Sequence, residues 1–323
     1  MSDTTASLRR QINIAGELQS VVRTMKALAA SNIGQYEQSV RALADYYRTV
    51  ELGLGACFRG NESAALMSTN EERVNDGAIG AIVFGSDQGL VGQFNDVITD
   101  YAIKTLADLP GKPQVWAIGE RVYARLADAG LPLLGLFAVP NSVKAIAPLV
   151  GQIQIESEVY RDKGEFAQVY VFHNRPQSGS LYEPVSLRLL PLDEQWQQGL
   201  THIRWPTGNL PEIMQSGTAT LRALIREYLF ISLFRACAES LASENASRLA
   251  AMQRAEKNIN ELLENMQHTF HRLRQGSIDE ELFDVISGFE ALFLEAVIKK
   301  QESAVEARKA ETPLRRLIQR DRV

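Results

Sequence analysis

Residues 218 to about 294 constrain this chain more than any other part, because they contain no proline and few glycines and are predicted to form one continuous helix. At 1.5 Å per residue such a helix is roughly 110 Å long. A compact chain of 323 residues has a radius of gyration of only about 20 Å. The helix therefore cannot be buried inside a globule, and its apolar residues need another helix or another protein as cover.

Composition and net charge limit the classes of partner that this chain is expected to bind. The chain is 45% hydrophobic and 23% charged, enough for one large domain or two ordinary ones, and its net charge of −5 gives no reason to expect nucleic acid. The polar N-terminus predicts neither a signal peptide nor an N-terminal anchor, and no apolar run approaches the roughly 20 residues of a membrane span. If the protein works at a membrane, another component is expected to hold it there. Cys57 and Cys237 form no metal spacing and no disulfide framework, which suits a reducing compartment.

Residues 8 to about 54 are predicted to form a second long helix, roughly 70 Å in length. Gly16 and Gly34 weaken it by about 1 kcal/mol each relative to alanine, so packing against a partner helix is expected to keep it straight. Its apolar positions mostly follow the spacing of one helical stripe: Leu18, Val22, Met25, Ala29, Tyr36, Leu43, Tyr47 and Val50.

The C-terminal helix carries a coiled-coil seam, in which apolar residues alternate spacings of three and four. The seam comprises Met252, Ala255, Ile259, Leu262, Met266, Thr269 and Leu273. Beyond Gly276 the stripe resumes out of phase, at Ile278, Leu282, Val285, Phe289 and Leu292. This step rotates the apolar face, so the helix is expected to meet a different neighbour there.

Strand-like and helix-like segments alternate in the middle third. The continuous apolar run at 78–84 is typical of a strand buried on both faces, and further strands are predicted at 114–118, 133–139, 166–173 and 185–190. Helices are predicted at 97–106, 120–129 and 141–160, and a loop at 174–183. This alternation predicts an α/β domain with a largely parallel sheet.

The whole chain is therefore predicted to be an α/β domain with a largely parallel sheet plus a long antiparallel two-helix coiled coil formed by the N- and C-terminal helices. Residues 1–55 and 212–300 form the coiled-coil shaft, residues 56–76 a linker, residues 77–211 the α/β domain and residues 301–323 a basic C-terminal extension. Because the N-terminal helix is the shorter one, part of the C-terminal helix stays uncovered. A partner is expected to bind there.

The sequence predicts no active site, no cofactor and no metal. The glycine-rich turn at 85–92 lies between a strand and a helix, but its glycine spacing matches neither phosphate-binding motif and no lysine follows, which favours a structural turn. Asp87 in this turn is more typical of an N-cap or Asx-turn residue than of a catalytic acid. His268 and His271 are three apart on one helix but lack further ligands, so a solvated face is expected.

Three parts of the chain resemble the gamma subunit of the rotary F-type ATP synthases. Residues 22–31 (Val-Arg-Thr-Met-Lys-Ala-Leu-Ala-Ala-Ser) are similar to the family's Ile-Thr-Lys-Ala-Met-Lys-Met-Val-Ala-Ala, and residues 86–95 (Ser-Asp-Gln-Gly-Leu-Val-Gly-Gln-Phe-Asn) to its Ser-Asp-Arg-Gly-Leu-Cys-Gly-Gly-Phe-Asn. The strongest match is in the C-terminal helix, at 241–252, 274–282 and 286–288. The resemblance covers nearly the whole chain, although the middle domain matches mainly in layout.

The resemblance implies a non-catalytic rotor subunit that couples ion flow through a membrane sector to ATP synthesis or hydrolysis. Its expected partners are the alpha and beta subunits, the epsilon subunit and the membrane rotor ring of c subunits, at the cytoplasmic face of a bacterial inner membrane. The residues that it places in contact with the beta subunit and along the shaft are Arg274, Gln275, Asp279, Glu281, Met25 and Lys26.

Some positions depart from the family pattern. Asp279 stands where the family usually has threonine, which adds a charge to the expected beta-subunit contact, and Gly276 replaces a usual alanine. The chain also continues past the family's usual end in a tail with many basic residues: Lys299, Lys300, Arg308, Lys309, Arg315, Arg316, Arg320 and Arg322. Such divergence is typical of an alternative bacterial F-type complex.

Two other functions remain open at this point. An enzyme with a nucleotide site in the α/β domain would have to bind nucleotide without a phosphate-loop motif. A non-rotary coiled-coil adaptor would need only the two long helices.

Overall fold

The computed structural model describes residues 4–59, 78–162, 166–177, 180–192, 194–209, 211–212 and 217–318. In chain order its elements are α1 (Thr5–Arg59), β1 (Ala78–Phe84), α2 (Phe94–Ala107), β2 (Pro113–Ile118), α3 (Glu120–Asp128), β3 (Leu133–Phe137), α4 (Val143–Asp162), β4 (Phe166–Gln177), β5 (Ser180–Leu190), α5 (Glu194–Thr201) and α6 (Gly217–Ile318). Helix α1 extends past residue 55, where the linker is predicted to begin. The rest of that linker, 60–76, and residues 319–323 of the basic extension lie outside the described residues.

The five strands form one sheet in the order β3-β2-β1-β4-β5. Strand β1 pairs in parallel with β2 and β4, and β2 pairs in parallel with β3, whereas β4 and β5 are antiparallel. Together with the pairing of the two long terminal helices, this largely parallel sheet confirms the predicted fold class. Such a sheet needs helices on both faces because its strands are apolar on both sides.

Helices pack against both faces of the sheet. Alternate residues of β1, such as Ile79 and Val83, face α2 and α3 in one buried cluster. The intervening Ile82 and Phe84 face α4 and α6 in a second cluster that also contains Trp116. The C-terminal helix is therefore part of the sheet domain's core and not only of the shaft.

In the polar segments after the fourth strand, one prediction was wrong and one element was not predicted. The predicted loop at 174–183 is largely a β-hairpin, because β4 extends to Gln177, which pairs with Ser180 of β5. The connection at 193–211 contains α5, which was not predicted. Both segments are polar on the side away from the core, so backbone pairing and packing define them where the apolar pattern does not.

The chain divides into two compact units, and α1 and α6 contribute to both. In the unit Val21–Lys257, α1 and α6 are antiparallel. Arg23 Nε lies 3.0 Å from Glu256 Oε1, and further along α1 the Tyr46 hydroxyl donates to Glu227 Oε1 at 2.7 Å. Residue numbers thus rise along one helix as they fall along the other.

The face of α1 that packs in this unit repeats every seven residues. Buried and half-buried positions alternate spacings of four and three along the whole segment: Val22, Lys26, Ala29, Ile33, Tyr36, Val40, Leu43, Tyr47, Val50, Leu54 and Cys57. A seven-residue repeat is the coiled-coil pattern and imposes a left-handed supercoil. The stripe predicted from sequence therefore agrees with most of the observed seam.

The unit Met1–Ser20 with Asn258–Val323 contains the other ends of both helices. Gln19 donates from its side-chain amide to Asn260. Here the predicted seam is wrong at Leu18 and Leu262, which are each 53% exposed. The neighbouring Leu263 is half-buried instead, because two adjacent leucines leave the phase of the seven-residue repeat undetermined in the sequence.

Candidate functional site

Internal hydrogen bonds hold the glycine-rich turn after β1 against the start of α2. The backbone N–H of Ser86 donates to Asn95 Oδ1 at 3.0 Å, and Asn95 Nδ2 donates to Ser86 Oγ at 2.8 Å. Ser86 Oγ in turn donates to the carbonyl oxygen of Gln88 at 2.8 Å. Ser86 and Asn95 therefore satisfy each other's polar groups inside the protein.

Two glycines let the turn approach its neighbours closely. A Cβ atom on Gly85 would lie 2.5 Å from Val122 Cβ, and one on Gly119 would lie 2.7 Å from the carbonyl carbon of Ser86. Gly119 also has a φ of +110°, which only glycine adopts readily. These glycines serve packing between two βα turns, as the structural interpretation predicts.

Asp87 joins three elements. Its Oδ1 accepts a hydrogen bond at 3.1 Å from the backbone N–H of Glu120, which is the first residue of α3. Its Oδ2 accepts one at 2.9 Å from the N–H of Val139, which lies beyond the end of β3. A carboxylate at the N-terminus of a helix satisfies a backbone donor that has no intrahelical partner. Asp87 therefore caps α3 from a neighbouring turn.

A small cavity lies between the sheet, α4 and α6. Its lining includes Ile82, Val169, Leu189 and Leu233, and its volume is about 30 Å³. This is close to the volume of one water molecule. It cannot hold a nucleotide, so it gives no support to an enzyme of that kind.

The part of the chain that the structure describes contains no group of three or more metal-ligating side chains. His268 and His271 are exposed on α6, as expected for a solvated face. Among the same described residues, no helix is long and apolar enough to cross a bilayer.

A buried carboxylate connects the sheet to α6. The side chain of Glu239 is only 7% exposed and accepts hydrogen bonds from His173 Nε2 at 2.8 Å, Arg235 Nε at 2.7 Å and Arg175 Nε at 3.3 Å. Burial alone would raise the pKa of Glu239, but the hydrogen bonds from His173 and Arg235 outweigh it and hold the pKa at about 2. Burial is the largest effect on the pKa of His173 and lowers it, and the charges of Arg175 and Arg235 lower it further against the opposing effect of Glu239. At neutral pH a neutral imidazole therefore donates to the carboxylate.

Two serines continue this connection along α6. Ser243 Oγ donates to the carbonyl oxygen of Asn174 at 3.0 Å, and Ser247 Oγ donates to the carbonyl oxygen of Val91 at 2.5 Å. Arg235, Glu239, Ser243 and Ser247 follow one another at intervals of four residues and therefore lie on one side of the helix. We call these four residues, with the groups of β4 and the β1–α2 turn that they bind, the polar joint.

The polar joint was not predicted from the sequence. Its signal is present, because Glu239, Ser243 and Ser247 are polar residues at four-residue spacing inside a helix segment that is otherwise rich in alanine and leucine. That pattern is also typical of a solvated helix face. Only the packing of α6 onto β4 shows that this side of the helix is buried.

The six residues predicted to contact partners lie on both long helices. Arg274, Gln275, Asp279 and Glu281 are exposed on α6, and the seven-residue separation of Arg274 and Glu281 places them on the same side of it. On α1, Met25 and Lys26 are half-buried, and Lys26 Nζ lies 2.6 Å from Glu256 Oε2. Their contacts with other subunits stay predictions.

The stretch of α6 after Gly276 carries a large exposed apolar surface, which we call the apolar face. Each of its members is between 41% and 72% exposed: Ile278, Leu282, Phe283, Val285, Ile286, Phe289, Leu292, Phe293, Leu294, Val297 and Ile298. A contiguous apolar patch of this kind marks an interaction site in a native protein.

A family model and a curated relative both match this chain to ATP synthase. A family model described as ATP synthase matches residues 4–292. The ATP synthase gamma chain of Dechloromonas aromatica (strain RCB) is 24% identical over 294 residues, which span 88% of this chain and 98% of that protein.

Solved structures show the same fold. A chain of the Euglena gracilis mitochondrial ATP synthase, in an OSCP/F1/c-ring structure in rotational state 3, has a TM-score of 0.61 at 15% identity and covers 89% of this chain and 94% of its own. A chain of the rotor from the same organism, in rotational state 1, has a TM-score of 0.56 at 16% identity and covers 85% and 98%. Helix α6 continues to Ile318, beyond the end of the family match at residue 292.

Proposed function

This chain belongs to the ATP synthase gamma family, and from that membership we propose that its apolar face is the surface that contacts the catalytic subunits of the complex. As a gamma subunit it is a non-catalytic part of the rotor in the central stalk. The chemistry of ATP belongs to other subunits, and the task of this chain is to change their conformations.

The observation that carries the proposal is the exposure of the apolar face. Ile278, Leu282, Val285, Phe289 and Leu292 alternate spacings of four and three, and Phe283, Ile286, Phe293 and Val297 widen the face to an arc well over 100°. A surface helix of a folded monomer buries such an arc against its own core. Here it is left for a partner that surrounds much of the helix.

Polar contacts are proposed at the start of this face. Arg274, Gln275, Asp279 and Glu281 are exposed within two turns of Ile278, where they can bind a loop of the beta subunit. Met25 and Lys26 are proposed to lie along the shaft facing the catalytic subunits, with the Lys26 ammonium shared with Glu256. These polar residues would set the rotational register of the contact, and the apolar face would supply most of its free energy.

The proposed mechanism is a population shift. A shaft that differs around its circumference makes different contacts with each of three catalytic subunits, and each orientation stabilises one conformer of its neighbour. Moving a two-state equilibrium from 1:99 to 99:1 requires about 5.5 kcal/mol of differential binding. Burying one large apolar side chain supplies about 1.5–3 kcal/mol, so about two to four residues of the apolar face suffice for each subunit.

The remaining partners are proposed from the family. The alpha and beta subunits would surround the paired helices, and the α/β domain would contact the epsilon subunit and the ring of c subunits. The chain would then be a peripheral subunit at the cytoplasmic face of a bacterial inner membrane, where ion flow turns the rotor.

A cross-link tests the proposal directly. A cysteine introduced by Glu281→Cys is expected to form a disulfide with a cysteine placed in the beta-subunit loop, and that bond should stop ATP turnover until it is reduced. The native Cys57 and Cys237 are buried, so they do not compete. The matched control is Glu156→Cys on the exposed side of α4, which should leave turnover unchanged under the same oxidant.

Three results would contradict the proposal. Failure of the chain to co-purify with alpha and beta subunits would exclude a rotor. A cross-link at residue 281 that leaves ATPase activity intact would indicate a non-rotary adaptor. Binding of ATP or a dinucleotide by this chain without other subunits would favour the enzyme alternative.

A further inference from the structure

We propose that the polar joint is the mechanical coupling that transmits torque between the α/β domain and the shaft. The inference rests on the proposed function, because torque matters only in a rotor. It assigns a role to Glu239, Ser243 and Ser247, which lie far along the chain from the apolar face and from the predicted beta-subunit contacts. These are positioning residues, since they touch neither nucleotide nor a catalytic subunit.

The direction of the contacts supports this role. Apolar burial depends on the area removed from water, so a helix can slide or turn slightly in an apolar groove with little change in free energy. A hydrogen bond prefers a nearly linear angle and weakens steeply once that angle falls below about 120°. Three directed contacts to β4 and one to the β1–α2 turn therefore fix the rotation of α6, where apolar packing alone fixes only its distance.

The position of the contacts along the helix also supports it. His173, Asn174 and Arg175 are consecutive residues of β4, and they bind α6 over two successive turns. Ser247 binds the β1–α2 turn one helical turn further on. A twist of α6 about its axis would therefore exert force on β4 and on the β1–α2 turn at once, through contacts spread over three turns of the helix.

Burial gives the joint its stiffness. Glu239, Ser243 and Ser247 are each at most 5% exposed, so water cannot replace a contact that breaks. A buried polar group that loses its partner bears its full desolvation cost. The cost is greater for Glu239, whose charge would be left without its donors in a site of low dielectric.

Small residues bring the surfaces into close contact around the joint. Ala236, Ala238 and Ala242 of α6 are almost fully buried between the polar residues. Their short side chains let the helix backbone lie close enough to the sheet for serine hydroxyls to reach backbone carbonyls. The alternation of alanine with polar residues therefore serves both close packing and directed contact.

The test measures coupling in the assembled complex. The chain carrying Glu239→Gln, Ser243→Ala and Ser247→Ala is incorporated into the holoenzyme in vesicles, and ATP-driven ion uptake is measured per ATP hydrolysed. The expected result is a fall in that ratio of about threefold or more while ATP hydrolysis stays within about twofold of wild type, because several directed contacts are lost at once. The single variant Glu239→Gln should show a smaller fall in the same direction.

The matched control removes a different carboxylate from the same helix. Glu264→Gln removes an exposed carboxylate that belongs neither to the polar joint nor to the proposed subunit contacts, and should leave ions transported per ATP unchanged. An unchanged ratio in the joint variants, with a lower melting temperature only, would show that the joint is merely structural and overturn the inference. If the wild-type chain does not assemble or couple at all, the proposed function fails instead, so the two failures are distinguishable.

Discussion

Lys26 Nζ lies 2.6 Å from Glu256 Oε2, so the charge of one shaft helix is held against the other across 230 residues of sequence. Arg23 approaches the second oxygen of the same carboxylate at 3.0 Å. The hydrogen bond from Lys26 is the main reason that the pKa of Glu256 lies below its usual range, with Arg23 next.

Removing this ion pair should weaken the shaft slightly and in a salt-dependent way. Glu256→Gln is expected to lower the melting temperature of the isolated chain at low ionic strength, because the carboxylate loses its attraction to two cations. At about 0.5 M salt, screening should reduce the difference between the melting temperatures of the wild type and the variant. Scanning calorimetry at two salt concentrations checks this, with Glu264→Gln, exposed on the same helix, as the control. A difference that does not shrink with salt would indicate lost packing instead.

Glu239 should make stability depend on acid pH. Glu239→Ala is expected to cost about 2 kcal/mol at neutral pH, less than a fully buried pair because Arg175 and Arg235 are half-exposed. The native pKa of about 2 lies below the unfolded value of about 4.3, so this contribution is complete above that unfolded value and is lost as pH falls toward 2. Urea unfolding between pH 7 and pH 3 should therefore show the wild-type and variant free energies converging.

Replacing glycine by alanine should have opposite effects on stability at a crowded position and at an open one. Gly85→Ala is expected to destabilise the chain by about 2 kcal/mol, since its Cβ would overlap Val122. Gly34→Ala should stabilise it by about 0.5–1 kcal/mol, because that helical glycine has open space around it. Denaturant unfolding of both variants measures the two signs, and a neutral result at Gly85 would mean that the β1 turn moves easily.

The two adjacent leucines of the C-terminal helix should behave differently. Leu263→Ala is expected to cost about 1–2 kcal/mol in the isolated chain, because this half-buried side chain lies in the seam. Leu262→Ala should cost less than about 0.5 kcal/mol, since Leu262 is largely exposed. Equal effects would contradict the observed register of the seam.

The apolar face should govern self-association of the isolated chain. Phe289→Glu is expected to reduce oligomers at high concentration without lowering the melting temperature, because Phe289 is 72% exposed and makes little contact with its own chain. Sedimentation velocity provides the measurement. The control is Ile155→Glu, which places the same charge at an exposed apolar site on α4 and should leave association as in wild type.

The fold was predictable from sequence wherever one periodicity dominates. The apolar run at β1 was predicted correctly as a buried strand, and the three-and-four spacing of α1 predicted a helix whose seam agrees at most positions but not at Leu18. The phase of the C-terminal seam was undetermined because Leu262 and Leu263 are adjacent. The extension of β4 and β5 into the predicted loop at 174–183 was missed because that segment is mostly polar and contains a proline and a glycine. Long-range backbone pairing leaves no such local signal.

Of the candidate functional residues, some were predictable from the sequence and others were not. Exposure of Arg274, Gln275, Asp279 and Glu281 follows from the change of stripe after Gly276, which is visible in the sequence. The burial of Glu239 is not, since a carboxylate at that spacing is as typical of a helix surface. Its environment is created by His173 and Arg175, which are distant in sequence and meet it only through the packing of α6 on the sheet.

The pairing of the first helix with the last also sets the order of events during synthesis. Arg23 and Glu256 are 233 residues apart, so at roughly 5–20 residues per second a ribosome needs about 10–50 s to pass from one to the other. Throughout that interval the seven-residue seam of α1 has no helix to cover it, and one face of the sheet lacks α6. The nascent chain therefore exposes two apolar surfaces to which chaperones can bind. Both surfaces are buried at the same time, when the final helix leaves the ribosome.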